Sequence, residues 1–158
     1  MKGNAKVIKH LNDVLTNELT AIDQYFVHAK MFANWGFGRL AKRERDASID
    51  EMKHAEALID RILFLEGVPN LQNLHKLLVG ENVNEAITCD LKLELAAHPA
   101  LKAAIVDCES CGDYVSRDLF RRIMSSEEEH IDWLETQLGL IEKVGIENYQ
   151  QSQMPHDD

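Results

Sequence analysis

Two short patterns in the sequence combine residue types that hold metal ions: Glu51-x-x-His54 and Glu127-x-x-His130. On a helix, positions three apart share a face, so a carboxylate and an imidazole at this spacing can converge on one cation. One such pattern would decide nothing, because fifteen glutamates and seven histidines give roughly 0.7 matches by chance. Here the two share an offset of 76 positions, and at that offset Glu18-Leu19-Thr20-Ala21 falls on Glu94-Leu95-Ala96-Ala97. Leu58 also meets Leu134, Glu66 meets Glu142 and Val68 meets Val144, while most other positions differ. The internal duplication is concentrated on metal-ligand types.

Glu18 lies on an apolar stripe between Leu11 and Leu15 on one side and Ile22 and Tyr25 on the other, and Glu94 lies among Ile87, Leu91 and Leu101. A carboxylate facing a core is costly unless it is paired or bound to metal. Together Glu18, Glu51, His54, Glu94, Glu127 and His130 could hold two divalent ions, with the carboxylates offsetting their charge. Oxygen-rich ligation with two imidazoles suits iron or manganese, whereas zinc sites more often use cysteine or fewer carboxylates. Iron adds redox chemistry, since bridging carboxylates accommodate both Fe(II) and Fe(III), as oxidation by O2 or peroxide requires. Tyr25, seven residues from Glu18, shares its face. It could hydrogen-bond a ligand, supply an electron, or simply fill the core. Glu128 and Glu129 fit a solvated helix face.

The elements that must position these groups are helices. Apolar residues recur at helical spacing over 5–34, with Leu11, Leu15, Ile22 and Phe26 along one side. Trp35, Gly36, Phe37 and Gly38 break that run. A second helix is expected over 39–66, stopped by Gly67 with Pro69 just beyond. A long connection follows over 67–81, then a third helix over 82–111 ended by Gly112. Pro99 should remove a hydrogen bond inside that helix and bend it near His98. Asp113 can cap a fourth helix reaching Lys143, and Gly145 precedes a short fifth over 146–153 and a polar tail. Two helical hairpins joined by one long connection make an all-α fold: a single ferritin-like domain over 1–158, a four-helix bundle with one long crossover and a short fifth C-terminal helix. One Glu from each of two helices plus Glu-x-x-His from each of the others is the known ligand pattern of di-iron bundles of that kind, so the six residues match a pattern already described.

A formal net charge of −10 argues against a nucleic-acid partner and suits a protein that attracts cations. No apolar stretch is long enough to cross a bilayer, and residues 1–10 carry no signal core, so a cytoplasmic location is expected without membrane association. Three cysteines, an odd number in a chain large enough to need no staples, fit a reducing compartment. Cys108-Glu109-Ser110-Cys111 sits at a helix end and not before a helix in a βαβ unit, so it reads as two packed or surface thiols. His10, His28 and His98 have no ligand partner at matching spacing and read as structural or exposed. Asp46 and Asp50, four apart, could collect iron or belong to a solvated face.

Met52 breaks the duplication, since its equivalent is Glu128. One residue on from Glu51, it points about 100° away from the interior. Ile49, Ala55 and Ile59 extend a second apolar face on the same helix, and Leu19, Ile22 and Phe26 do so on the first. Helices with two apolar faces usually bury one against a neighbouring subunit.

The chain resembles the bacterioferritin family along nearly its whole length. The resemblance is carried by Met1-Lys2-Gly3, Asn17-Glu18-Leu19, Gln24-Tyr25-Phe26, Ser48-Ile49-Asp50-Glu51-Met52-Lys53-His54-Ala55, Arg61-Ile62-Leu63-Phe64-Leu65-Glu66-Gly67, Asp113-Tyr114-Val115-Ser116-Arg117 and Ser126-Glu127-Glu128-Glu129-His130-Ile131-Asp132. It implies iron storage and detoxification by a ferroxidase that oxidises Fe(II) with O2 or H2O2 at two irons per subunit. It further implies a homo-oligomeric cage of 24 subunits built from two-fold dimers, with haem b shared between two subunits and bound by Met52 from each. A ferredoxin electron donor also follows from the resemblance, and Asn148 and Gln151 would line a pore at a symmetry axis. Without Cys-x-x-Cys-His, covalent haem attachment is not expected. The competing readings are a di-iron oxygenase, which needs an open substrate pocket beside the metals, and a haem electron-carrier subunit, which would be expected to lose di-iron ligands.

Overall fold

The structure, a computed structural model describing residues 1–155, contains five helices and no strand among them. They are α1 (Ala5–Asn34), α2 (Gly38–Phe64), α3 (Val83–Cys111), α4 (Tyr114–Val144) and α5 (Ile146–Ser152). Positions 156–158 of the expected domain lie outside the described residues. Each start has a local cause. Asn4 accepts from the Lys6 and Val7 amides, Asn82 from the Glu85 amide and Asp113 from the Ser116 amide, so three helices open on side-chain caps. Gly112, at φ 75°, turns the chain out of α3.

The end of α2 differs from the expected glycine stop. The left-handed residue is Glu66, at φ 64°, and not Gly67. Gly67 is instead required by packing: a Cβ there would lie 2.8 Å from Ile8 Cγ2 and 3.0 Å from Ile62 Cγ2. α2 consequently ends two residues short of the expected 66. Pro99 sits inside α3 without dividing it. Its missing amide spares only one bond of that ladder, and helical residues continue on both sides.

Leu65 accepts from the Gly3 amide, which ties the start of α1 to the end of α2 and sets the two antiparallel. His10 faces Asp107 while Tyr25 faces Glu94, so α3 also runs antiparallel to α1. Arg61 reaches Asp113 and Ser116 at the start of α4. The order is up, down, down, up, with the crossover returning along the bundle. That return is held by polar side chains spaced along α1. Asn12 Oδ1 accepts the Asn70 amide, Thr20 Oγ1 the His75 amide, Gln24 Oε1 the Leu78 amide and His28 Nε2 the Gly80 amide, at 2.9 to 3.0 Å. An irregular segment thus satisfies its backbone donors against a helix instead of against water.

The core is divided. One apolar cluster contains Val7, Leu11, Leu58, Leu101 and Phe120, and a second, at the opposite end, contains Phe32, Leu40, Ile87 and Leu134. Between them a small cluster of Ala21, Tyr25, Ala47 and Leu93 lies beside an otherwise polar interior. Leu58 is fully buried in the first cluster. Leu58→Ala should therefore destabilise the protein by about 2–5 kcal/mol, read as a fall in the denaturation midpoint.

Candidate metal centre

The polar middle of the bundle is where the two Glu-x-x-His segments meet. Glu18 comes from α1, Glu51 and His54 from α2, Glu94 from α3, and Glu127 and His130 from α4. All but His54 are buried, and His54 is partly so. Glu18, Glu51 and His54 form one group whose ligand atoms lie within 4.8 Å of one another, and Glu51, Glu94 and His130 form a second. Glu51 belongs to both. Glu127 faces Glu18 across the bundle. The six residues singled out by spacing are thus brought to one place.

His54 Nδ1 lies 3.1 Å from Glu51 Oε2 and 3.6 Å from Glu18 Oε2, and His130 Nδ1 lies 3.1 Å from Glu94 Oε1. The Tyr25 hydroxyl donates to Glu94 Oε1, and its ring meets His130 edge-on with centroids 5.0 Å apart. These donors do not saturate the acceptors. Both oxygens of Glu18, Oε2 of Glu127 and Nε2 of His130 are buried without a hydrogen-bond partner. Buried polar atoms are ordinarily satisfied, so orphans gathered in one place are atoms that a cation could take as ligands. The donor set, four carboxyls and two imidazoles, is chemically suited to iron.

The same crowding moves the protonation of the empty-handed acids. Burial first, then the charges of Glu18 and Glu94, push the Glu127 carboxyl up to about 11. Burial also raises Glu18, against the opposing pull of His54. Tyr25 is held well above its usual range, chiefly by burial and next by the Glu94 charge, so it stays a neutral donor.

A cavity of about 80 Å³ adjoins the centre, lined by Arg43, Asp50, Glu51, Ser126, Glu129 and His130. It admits water-sized molecules and falls well below the ~300–1,000 Å³ of sites for organic ligands. The larger groove of about 600 Å³, between α1, α3 and the crossover, is lined by none of the six residues. Of the two acids near His54, Asp46 is tied to Lys42 at 2.7 Å, whereas Asp50 lines the cavity. Met52 points outward and is 48% exposed, beside the exposed Ile49. Cys108 is buried and Cys111 exposed, and both are free thiols. His10 pairs with Asp107 and His98 with Glu128.

Two features went unread in the sequence. Arg43 lies over the Trp133 ring, 4.7 Å from its centroid, at the rim of the cavity. His28, Glu44 and Asp90 meet in a second buried cluster. Neither repeats at the 76-residue offset, and that offset was the signal that exposed the six.

A helical bundle with interior carboxylates and histidines at these positions defines the ferritin-like class, and the ferritin-like domain family matches residues 8–144. The chain is 50% identical over 151 residues to a bacterioferritin of Brucella melitensis, covering 96% of this chain and 94% of that one. It is 49% identical over 149 residues to a bacterioferritin of Mycolicibacterium paratuberculosis, covering 94% of each. To a bacterioferritin of Rhodobacter capsulatus it is 46% identical over 149 residues, covering 94% and 92%. The chain belongs to the bacterioferritin family.

A neutral Glu127 in the folded, metal-free protein becomes an ionised carboxylate when the chain unfolds at neutral pH. Its contribution to stability is complete below the ordinary carboxylate value of 4.5 and is lost as pH rises toward about 11. The metal-free protein should therefore weaken as pH rises through that window. Glu127→Gln should flatten the decline, measured as denaturation midpoints across a pH series; an unchanged slope would contradict it.

Proposed function

We propose that this chain stores and detoxifies iron as a ferroxidase, with Glu18, Glu51, His54, Glu94, Glu127 and His130 holding two Fe(II) ions per subunit as they are oxidised to Fe(III). The carrying observation is the set of buried, unpartnered ligand atoms on Glu18, Glu127 and His130 at the meeting point of four helices. Two Fe(II) ions bring four positive charges to four carboxyls. Glu18 and Glu127 must therefore give up the protons that burial favours. Glu51, shared by the two groups, can bridge both ions and keep them close enough to give one electron each to a single O2 or H2O2 molecule. Tyr25 positions Glu94 through its hydroxyl. The small cavity beside Glu51 and His130 offers room for such an oxidant, while excluding the organic substrate an oxygenase would need. Negative charge overall draws the cation in. The whole chain acts as one ferritin-like domain.

Haem b also fits this chain. Met52 offers a neutral thioether on an exposed, apolar stretch of α2 with Ile49, and the exposed Phe26 lies on α1. A second copy related by a two-fold axis would supply a second Met52, so the two would hold haem between subunits, and the haem would supply electron transfer for iron release when bound. A cage of 24 subunits, a ferredoxin-type electron donor, pore-lining roles for Asn148 and Gln151 and a cytoplasmic location complete this reading. No described helix is long and apolar enough to cross a membrane.

Purified protein should oxidise Fe(II) in air much faster than Glu51→Ala and His130→Ala variants. The loss should exceed the roughly 10–100-fold typical of removing an outer-shell partner. Equal rates would overturn the ferroxidase assignment. Met52→Leu should abolish the haem absorption spectrum while leaving the rate of Fe(II) oxidation unchanged, and a full haem spectrum in that variant would refute the ligand assignment.

A further inference from the structure

Glu44 and Asp90 place ionisable groups where the fold does not need them. Glu44 on α2, Asp90 on α3 and His28 on α1 meet in the interior, each at most 1% exposed, with one ligand-type atom from each within 4.8 Å of the others. At the offset that relates the six ligands, their equivalents are Phe120, Val14 and Ala104. All three of these are buried members of an apolar cluster. The duplicated half therefore shows that the bundle closes on hydrocarbon at this position. Buried ionisable groups generally add no stability over apolar ones of similar volume.

Hydrogen bonds fix the tautomer of His28 and the role of one Asp90 oxygen. The Gly80 amide donates to His28 Nε2 at 3.0 Å, so that nitrogen carries a lone pair. The proton of the neutral ring is on Nδ1, which donates to Asp90 Oδ1 at 2.8 Å. Gln24 Nε2 donates to the same oxygen at 2.9 Å, so Asp90 Oδ1 is an acceptor with both its donors in place. With Nδ1 carrying a proton and Nε2 taken by Gly80, His28 has no free lone pair for a cation. Gly80 cannot easily be displaced or replaced, since a Cβ there would lie 2.3 Å from the Ala86 nitrogen. What is left is Asp90 Oδ2 and Glu44 Oε1, both buried and without partners. Two facing carboxylate oxygens repel, whereas a single proton between them satisfies both.

We propose that Glu44 and Asp90 form a proton-holding site, Glu44 the acid and Asp90 the acceptor, which keeps its proton when divalent ions fill the six-ligand centre and releases it when they are oxidised from Fe(II) to Fe(III). The environment of Glu44 fits this role. Burial first, then the Asp90 charge, hold its carboxyl well above the usual range; Glu94 pushes the same way and Arg43 the other. Tyr25 from α1 and Tyr149 from α5 also lie near Glu44, and burial above all keeps both as neutral phenols. Glu94 connects the two sites, because its charge favours the proton on Glu44 and it is also one of the six ligands. This coupling rests on the ferroxidase reading. Two Fe(II) ions each give one electron to O2, which takes two protons from solvent and leaves as H2O2, so the centre gains two positive charges. The O–H bond of Glu44 then breaks, its electron pair stays on the carboxylate and the proton passes to water, which offsets one of those charges.

Infrared difference spectra of the whole protein loaded with Zn(II) test the site. Zinc ionises the ligand carboxyls, so the carbonyl band of a neutral carboxylic acid should persist at neutral pH in the wild type and vanish in Glu44→Gln, whose amide still donates to Asp90. Zinc bound without such a band in the wild type would overturn the proposal. So would an additional zinc equivalent that Asp90→Asn removes, which would make the cluster a cation site. Failure of zinc to bind at all would instead count against the six-ligand centre, while the Glu44 band would still be read by subtraction of the variant. In air with Fe(II), net proton release per centre should fall by one in Glu44→Gln, and identical counts would overturn the coupling.

Discussion

Four carboxyls are held against one another in the middle of this bundle, and the remaining architecture answers to that. Like charges in a medium that excludes water repel strongly, and a buried carboxylate without a partner is among the most costly groups a fold can contain. The protein meets the problem with few donors: His54, His130 and the Tyr25 hydroxyl. It therefore needs either protons or cations there. A divalent ion would relieve the repulsion and partner the unsatisfied atoms at once, which is why an arrangement poor for stability is suited to holding metal.

The helices carry the resulting cost. Two large apolar clusters, one at each end of the bundle, clamp the polar middle from both sides, and a smaller one of Ala21, Tyr25, Ala47 and Leu93 packs within it. The crossover adds a second constraint. Its backbone is seated on Asn12, Thr20, Gln24 and His28, and the last two of these also hold Asp90, one turn before Glu94 on α3. The segment that makes this topology possible is thereby connected to the helix that supplies a ligand.

The long helices were legible because their apolar periodicity and the Asp113 cap act over a few residues, whereas Asn82, expected as the first residue of α3, proved to be its cap. The six-residue centre was legible because the chain states it twice at one offset. Other features are set by contacts between distant segments and leave no local trace. Gly67 looked like a helix stop, yet it is needed for close approach to Ile8, while Glu66 takes the left-handed turn. Asn12, Thr20, Gln24 and His28 of α1 seat the crossover, a contact that spacing along one helix does not announce. His28 had no partner at helical spacing because its partners, Glu44 and Asp90, are on other helices. Tyr25 was placed on the correct face, but the identity of its acceptor depends on how α1 and α3 are set against each other.

The central claim is that the six residues bind two cations as a unit. Anaerobic titration of the metal-free protein with Co(II), followed by the visible absorption of the bound ion, tests it directly. The account predicts saturation at two equivalents per subunit, with release of protons, and loss of that saturation in Glu51→Ala because the shared carboxylate serves both positions. Binding that never saturates, or saturation unchanged by Glu51→Ala, would contradict it.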